Sequence, residues 1–177
     1  RYADAVVFPS QFVKSKFATI TPVNDARCII LPQGLYLRNP YREKISDAHS
    51  KLRSILSLPP TATIILAVGY ADARKGVDLF VDVAKRVVPN VDQAYFIWVG
   101  HRDERFVKDI DVDINKCGLN GRIKFVGIQE DVSLFYAGSD IYLMTSREDP
   151  FPSTVLEAMD AGVPVIGFED AGGFRDI

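Results

Sequence analysis

Five short apolar runs, each followed by a glycine or a polar turn and separated from the next by a helical pattern, constrain this chain most strongly. The runs are Thr63–Gly69, Ala94–Gly100, Arg122–Gly127, Asp140–Thr145 and Val163–Phe168. Helical patterns at Val77–Val88, Glu104–Cys117, Val132–Tyr136 and Thr154–Ala161 fall between them. Near-continuous apolar strands need cover on both faces, and strands that alternate with helices build a parallel sheet. Right-handed crossovers then make the sheet doubly wound. The expected fold is α/β, a Rossmann-like doubly wound parallel sheet.

Upstream, Ala5–Phe8 reads as a short buried strand. Ser10 is a good N-cap for a helix running to about Ala18, with Phe12, Val13 and Phe17 as its apolar face. Ala26–Pro32 reads as a second strand. From Arg42 to Leu58 the residues Ile45, Ala48, Leu52, Ile55 and Leu56 recur at helical spacing, and Pro59-Pro60 ends that helix. The chain's 177 residues suffice for one sizeable core, and 47% hydrophobic with 25% charged residues excludes a disordered chain. With 21 basic against 23 acidic residues, bulk charge favours neither nucleic acid nor an anionic membrane as partner. The longest apolar stretches, Ile64–Gly69 and Phe96–Gly100, are far too short to span a bilayer. Cys28 and Cys117 lie far apart in unlike contexts, which fits a reducing, cytoplasmic compartment. The chain opens without Met at Arg1 and stops at Ile177 just after the turn signal Gly172-Gly173, so both ends are expected to be cut from a longer protein.

Doubly wound sheets bind ligands at the carboxyl ends of their strands, near a topological switch point. Two loops there carry distinctive chemistry. Arg74-Lys75-Gly76 sets two cations before a helix N-terminus, where backbone N–H groups already favour an anion. A shared anionic ligand such as a phosphate would explain them; the plainer alternative is a solvated turn. The chain has neither the Gly-x-x-x-x-Gly-Lys-Ser/Thr of a P-loop nor a Gly-x-Gly-x-x-Gly, which disfavours a kinase or a dehydrogenase. In the second loop Glu148, Asp149 and Glu157 flank Pro150-Phe151-Pro152-Ser153. Two readings of Glu157 stand side by side. Thr154 and Glu157 have capping-box spacing, or Glu157 accepts hydrogen bonds from a pair of sugar hydroxyls. Asp149 would lie above the same cleft.

Weaker signals are Asp109, Asp111 and Asp113, which fall in a helical pattern and read as a solvated face rather than a metal site. His49 is expected to be exposed in the linker helix, and His101 to border the cleft. No residues have zinc spacing, and neither metal nor cofactor is expected.

The stretch Ser146–Ile166 resembles the signature of glycosyltransferase family 4, the group 1 enzymes of the GT-B architecture. It holds two acidic residues separated by seven others, then Ala158-Met159, Ala161-Gly162, Pro164 and a Val-rich strand. Gly69 to Lys75-Gly76 looks like the family's donor loop, and Tyr136-Ala137-Gly138-Ser139-Asp140 like its Tyr-x-x-Ala-Asp element. Phe96–Gly100, Phe125–Gly127 and Ala171-Gly172-Gly173 also look similar. Ala3–Ser10 and Ile30–Gly34 resemble the end of an N-terminal domain and the interdomain linker. The resemblance implies the C-terminal half of a GT-B fold, incomplete at its C-terminus, with residues 1–38 ending the N-terminal domain and linker and 39–177 forming a nucleotide-sugar-binding domain.

It further implies metal-independent, usually retaining transfer of a sugar from a nucleotide-diphosphate-sugar. The acceptor, a sugar or glycolipid, would be bound by an absent N-terminal domain, which would also supply any peripheral membrane contact. By position, Glu157 would bind the ribose hydroxyls, Asp149 the transferred sugar, and Lys75 with Arg74 the diphosphate. Gly69, Glu148, Phe151 and the amides near Ser153 and Thr154 would complete the donor site. The sequence departs from the family at Tyr70, where relatives carry Arg, at Asp149 with Glu148 adjacent, and at Pro152, which has no N–H to donate. These departures keep two alternatives open: a non-catalytic nucleotide or phosphoanion-binding module, and a GT-B relative such as a nucleotide-sugar epimerase or a phosphorylase.

Overall fold

The computed structural model describes residues 3–177; Arg1 and Tyr2, the start of the segment read as the end of an N-terminal domain, lie outside them. All five apolar runs form strands: β3 (Thr63–Val68), β4 (Ala94–Val99), β5 (Ile123–Phe125), β6 (Ile141–Met144) and β7 (Val165–Gly167). They pair in parallel in the order β5-β4-β3-β6-β7. β3 and β4 are in register from Thr63↔Ala94 to Val68↔Val99, and β3 meets β6 at Ile65↔Ile141 and Leu66↔Tyr142. The chain runs outward from β3 to β5, then returns to lay β6 on the other side of β3. That reversal is the switch point.

Side chains alternate across a strand, so each strand feeds two cores. Ile65, Ala67, Phe96 and Trp98 pack against α3 (Val77–Val87) and α4 (Glu104–Lys116). Ile64, Leu66, Ile97 and Val99 pack against α2 (Ile45–Ile55), α5 (Val132–Gly138) and α6 (Ser153–Asp160). The expectation of burial on both faces fails at β7, an edge strand, where Ile166 is 54% exposed.

Ahead of this sheet, β1 (Val6–Phe8), α1 (Gln11–Ile20) and β2 (Cys28–Ile30) form a two-stranded parallel unit. Ser10 is the N-cap of α1, its hydroxyl accepting from the Val13 amide at 3.1 Å. The expected buried strand at 5–8 is corrected: only Phe8 is buried while Val7 lies open, because β1 pairs with β2 alone among the described residues. The helix expected from Arg42 begins instead at Ile45. The Asn39 side chain accepts from the Tyr41 amide at 2.9 Å and holds that stretch in a turn.

Asp140, just before β6, fastens α2 to the sheet. Its Oδ2 accepts from Arg53 Nη2 at 2.7 Å and from the Ile64 amide at 2.6 Å. The buried Arg53 guanidinium also donates to the carbonyls of Ala62, His49 and Gly138. His49, expected to be exposed, is half-buried with Nδ1 3.8 Å from Asp140.

Where β3 and β6 lie side by side, the turn after β3 closes against the end of β6. Gly76 has φ +70, and a Cβ there would sit 2.0 Å from the Thr145 carbonyl oxygen. Gly118 has φ +68 with open space around it. Gly118→Ala should therefore cost about 1 kcal/mol, the left-handed penalty alone. Gly76→Ala should cost about 3 kcal/mol because the two loops must separate as well. Denaturant unfolding of the two variants checks the difference.

Candidate functional site

The crevice at the switch point is walled by the loop after β3, residues 69–76, and the loop after β6, residues 145–152. Strand ends fix both walls. The Gly69 amide donates to the Val99 carbonyl at 2.9 Å, and Trp98 Nε1 donates to the Gly69 carbonyl at 2.9 Å. Asp72 caps the following turn by accepting from the Lys75 amide at 2.7 Å. This directs the Lys75 side chain back over Gly69, whose missing Cβ would lie 3.3 Å from Lys75 Cε.

Lys75 Nζ then meets Asp149 Oδ2 at 2.6 Å. Asp149 is only 5% exposed, and a buried carboxylate is tolerated when it is paired. Its backbone is pinned from a third direction, since its carbonyl accepts from the Gly173 amide at 2.7 Å. Glu148, its neighbour and the alternative acid, is exposed, and its carbonyl accepts from Arg74 Nη1 at 3.4 Å. The structure thus joins Gly69, Lys75 and Asp149 directly, sets Arg74 beside Glu148 on the rim, and leaves the Glu148 carboxylate in solvent. Phe151 is buried.

The same loop leads into α6. Pro152 occupies the N-cap position, no side chain caps the first turn, and no acidic residue lies within it. The amides of Ser153 and Thr154 therefore open the helix without a side-chain acceptor, the condition that favours an anion. The capping-box reading of Glu157 is overturned. Thr154 lies inside the helix, and Glu157 Oε2 accepts from the Tyr136 hydroxyl at 2.6 Å. Burial pushes the Tyr136 hydroxyl far above the ordinary tyrosine range, with the nearby Tyr142 and Glu157 adding to it.

Around the rim, the Tyr70 and His101 rings lie 5.4 Å apart beside the ends of β3 and β4. On α4, Asp111 pairs with Arg102, just before the helix, at 2.5 Å, and Asp113 with Lys85 on α3, so both acids are engaged in ion pairs. Among the described residues no cluster of three metal-ligating side chains is present, and no helix is long and apolar enough to cross a membrane.

Sequence reasoning missed three contributors. Arg147 clasps both walls, its amide donating to the Arg74 carbonyl at 2.9 Å and its Nη1 to the Ala73 carbonyl at 2.7 Å. It also forms a two-pronged pair with Asp78 on α3, at 2.8 and 2.6 Å. Ser10 donates to the Pro150 carbonyl at 2.6 Å, across 140 positions of chain. Tyr136 is the third. Long-range partners leave no local spacing signal, although an Arg directly before the acidic pair was a visible cue.

Residues 49–177 match the family described as glycosyl transferases group 1. The chain is 30% identical over 131 residues to the lipopolysaccharide core biosynthesis mannosyltransferase LpsB of Rhizobium meliloti (strain 1021), covering 72% of this chain and 37% of LpsB. It is 28% identical over 121 residues to the lipopolysaccharide core biosynthesis glycosyltransferase LpsE of the same strain, covering 68% of this chain and 34% of LpsE. The chain thus spans about a third of the length of these relatives. The crystal structure of Anabaena HepE in complex with UDP and glucose superposes with a TM-score of 0.84 at 24% identity, over 99% of this chain and 47% of HepE. That likeness shows a shared fold.

The Arg147 guanidinium holds the Asp78 carboxyl below the usual carboxylate range, against the opposing effect of burial. A lowered folded-state value means the clasp stabilises fully above the ordinary carboxylate value, about 4, and fades as pH falls below it. Both side chains are more than a third exposed, at 45% and 36%, so solvent screening weakens the pair. Arg147→Ala should cost about 0.5 kcal/mol at neutral pH. Urea unfolding should show that gap narrowing from pH 6 to pH 3.

Proposed function

This chain belongs to the glycosyl transferases group 1 family, and on that premise we propose that it forms the donor-binding half of an enzyme moving a sugar from a nucleotide-diphosphate-sugar to an acceptor. The observation that carries the reading is the Lys75–Asp149 pair at the switch point, beside a helix N-terminus that no side chain caps. Lys75, aided by Arg74 on the rim, would neutralise the charge that develops on the departing diphosphate, and the Ser153 and Thr154 amides would take phosphate or sugar oxygens. Fixed positive charge and aimed N–H groups stabilise such a leaving group without a divalent cation. We therefore read the transfer as metal-independent and, from the family, as retaining. When donor binds, Lys75 would turn part of its charge to phosphate, leaving Asp149 free to accept from the transferred sugar. Glu157 would hold the ribose hydroxyls.

Two lines support this donor class. HepE, which has the same fold, was solved with UDP and with UDP-glucose. LpsB and LpsE are described as glycosyltransferases of lipopolysaccharide core biosynthesis, which favours a saccharide or glycolipid acceptor held by residues outside this chain.

Calorimetric titration of the full-length protein with UDP, GDP and ADP tests the site. Lys75→Gln removes the charge yet leaves Asp149 a donor, so it should fold, and it should weaken the preferred diphosphate at least tenfold, about 1.4 kcal/mol. Sugar transfer by the wild type should persist in excess EDTA. Unchanged affinity in Lys75→Gln would reject the diphosphate role, and binding without sugar transfer would favour a non-catalytic nucleotide module.

A further inference from the structure

Glu157 begins its reach from the middle of α6, yet its carboxylate is not free to swing. Tyr136 stands on the neighbouring α5, 21 positions away in sequence, and its hydroxyl meets Glu157 Oε2 at 2.6 Å. The Tyr136 side chain is 2% exposed and its ring lies 5.8 Å from that of Tyr142, so the phenol cannot move without disturbing the core. Burial keeps the hydroxyl protonated at every working pH, which makes it a permanent donor toward the carboxylate. Glu157 itself is half-buried, and its second oxygen, Oε1, has no hydrogen-bond partner among the described residues.

We propose that Tyr136 is the positioning residue for Glu157, engaging Oε2 from the core so that Oε1 faces the crevice as a fixed acceptor for a ribose hydroxyl. This rests on the donor-site reading of Glu157 above. A glutamate on a helix surface samples several rotamers, and ordering it opposes ligand binding. A buried, charge-assisted hydrogen bond to one oxygen orders the carboxylate before the ligand arrives. One lone-pair direction of Oε2 also stays available, so a vicinal pair of hydroxyls can still be met. The consequence is selectivity for ribose over deoxyribose, set by a residue that never touches the nucleotide.

The test uses the full-length protein and nucleoside 5′-diphosphates of each base, each compared with its 2′,3′-dideoxy counterpart by calorimetry. The wild type should prefer the ribonucleotide by roughly 10- to 100-fold, the range for a hydrogen bond to a charged group. Glu157→Gln should lose most of that preference. Tyr136→Phe should reduce it by about tenfold while leaving dideoxy binding unchanged, and should add nothing in the Glu157→Gln background. If Tyr136→Phe weakens both ligands equally, or leaves the ratio intact while Glu157→Gln abolishes it, the positioning role is overturned and the donor-site reading stands. A wild type with no ribose preference, or a Glu157→Gln variant that keeps it, overturns both. Proton NMR of the wild type supplies a measurement independent of whether Tyr136→Phe folds. A downfield Tyr136 hydroxyl signal should be present and should move upfield in Glu157→Gln; a signal that ignores Glu157 sinks the proposal.

Discussion

Lys75 and Asp149 meet because β3 and β6 are neighbours, and much of the site's geometry follows from that adjacency. A carboxylate only 5% exposed needs its partner within hydrogen-bond distance, or its desolvation goes uncompensated. The backbone delivers the pair. Asp72 turns the first loop, the close approach of Gly76 to the Thr145 carbonyl sets the gap between the loops, and Gly173 holds Asp149 from the far side. The first is a local bond within one loop, while the other two join loops that the strand order β3-β6-β7 sets side by side. The backbone of both loops is thus held in place at the sheet, and the Lys75 charge stands at the crevice.

A second set of contacts ties the segment before residue 40 to the same loops. Ser10 caps α1 with one lone pair and donates its proton to Pro150, so one hydroxyl links a helix start to the loop that carries Asp149. Asn39 is similarly divided, its amide donating to Asp160 at 2.6 Å on α6 and its side chain to the Ser133 carbonyl at 2.9 Å on α5. A shift of the N-terminal unit would be felt at Pro150 through the Ser10 bond. At the other end of α6, the Asn39 contact restrains the helix that bears Glu157.

The fold was legible to a large degree, since the rhythm of apolar run and helical pattern fixes strand type, parallel direction and winding without knowledge of any contact. Boundaries were less so. The helix expected from Arg42 lost its first turn to the Asn39 side chain, and Ile166 on β7 is exposed where its composition suits burial. In the site, spacing favoured Asp149 over the adjacent Glu148 without showing their surroundings; the structure buries Asp149 against Lys75 and leaves Glu148 exposed. The capping-box spacing of Thr154 and Glu157 misled for a related reason. Pro152 took the cap position two residues earlier than that pattern needs, and Tyr136 claimed the carboxylate.

What the sequence by itself determined is the parallel α/β architecture, the two loops that carry chemistry and the glycosyltransferase resemblance, because each is written in local pattern: hydrophobic period, helix punctuation and a contiguous acidic signature. Only the tertiary structure decided which side chains share a hydrogen bond. Lys75 with Asp149, Arg147 with Asp78, Ser10 with Pro150 and Tyr136 with Glu157 are pairings across 21 to 140 positions of chain. Such partners are chosen by strand order and by angstrom-scale distances, and no local periodicity encodes either.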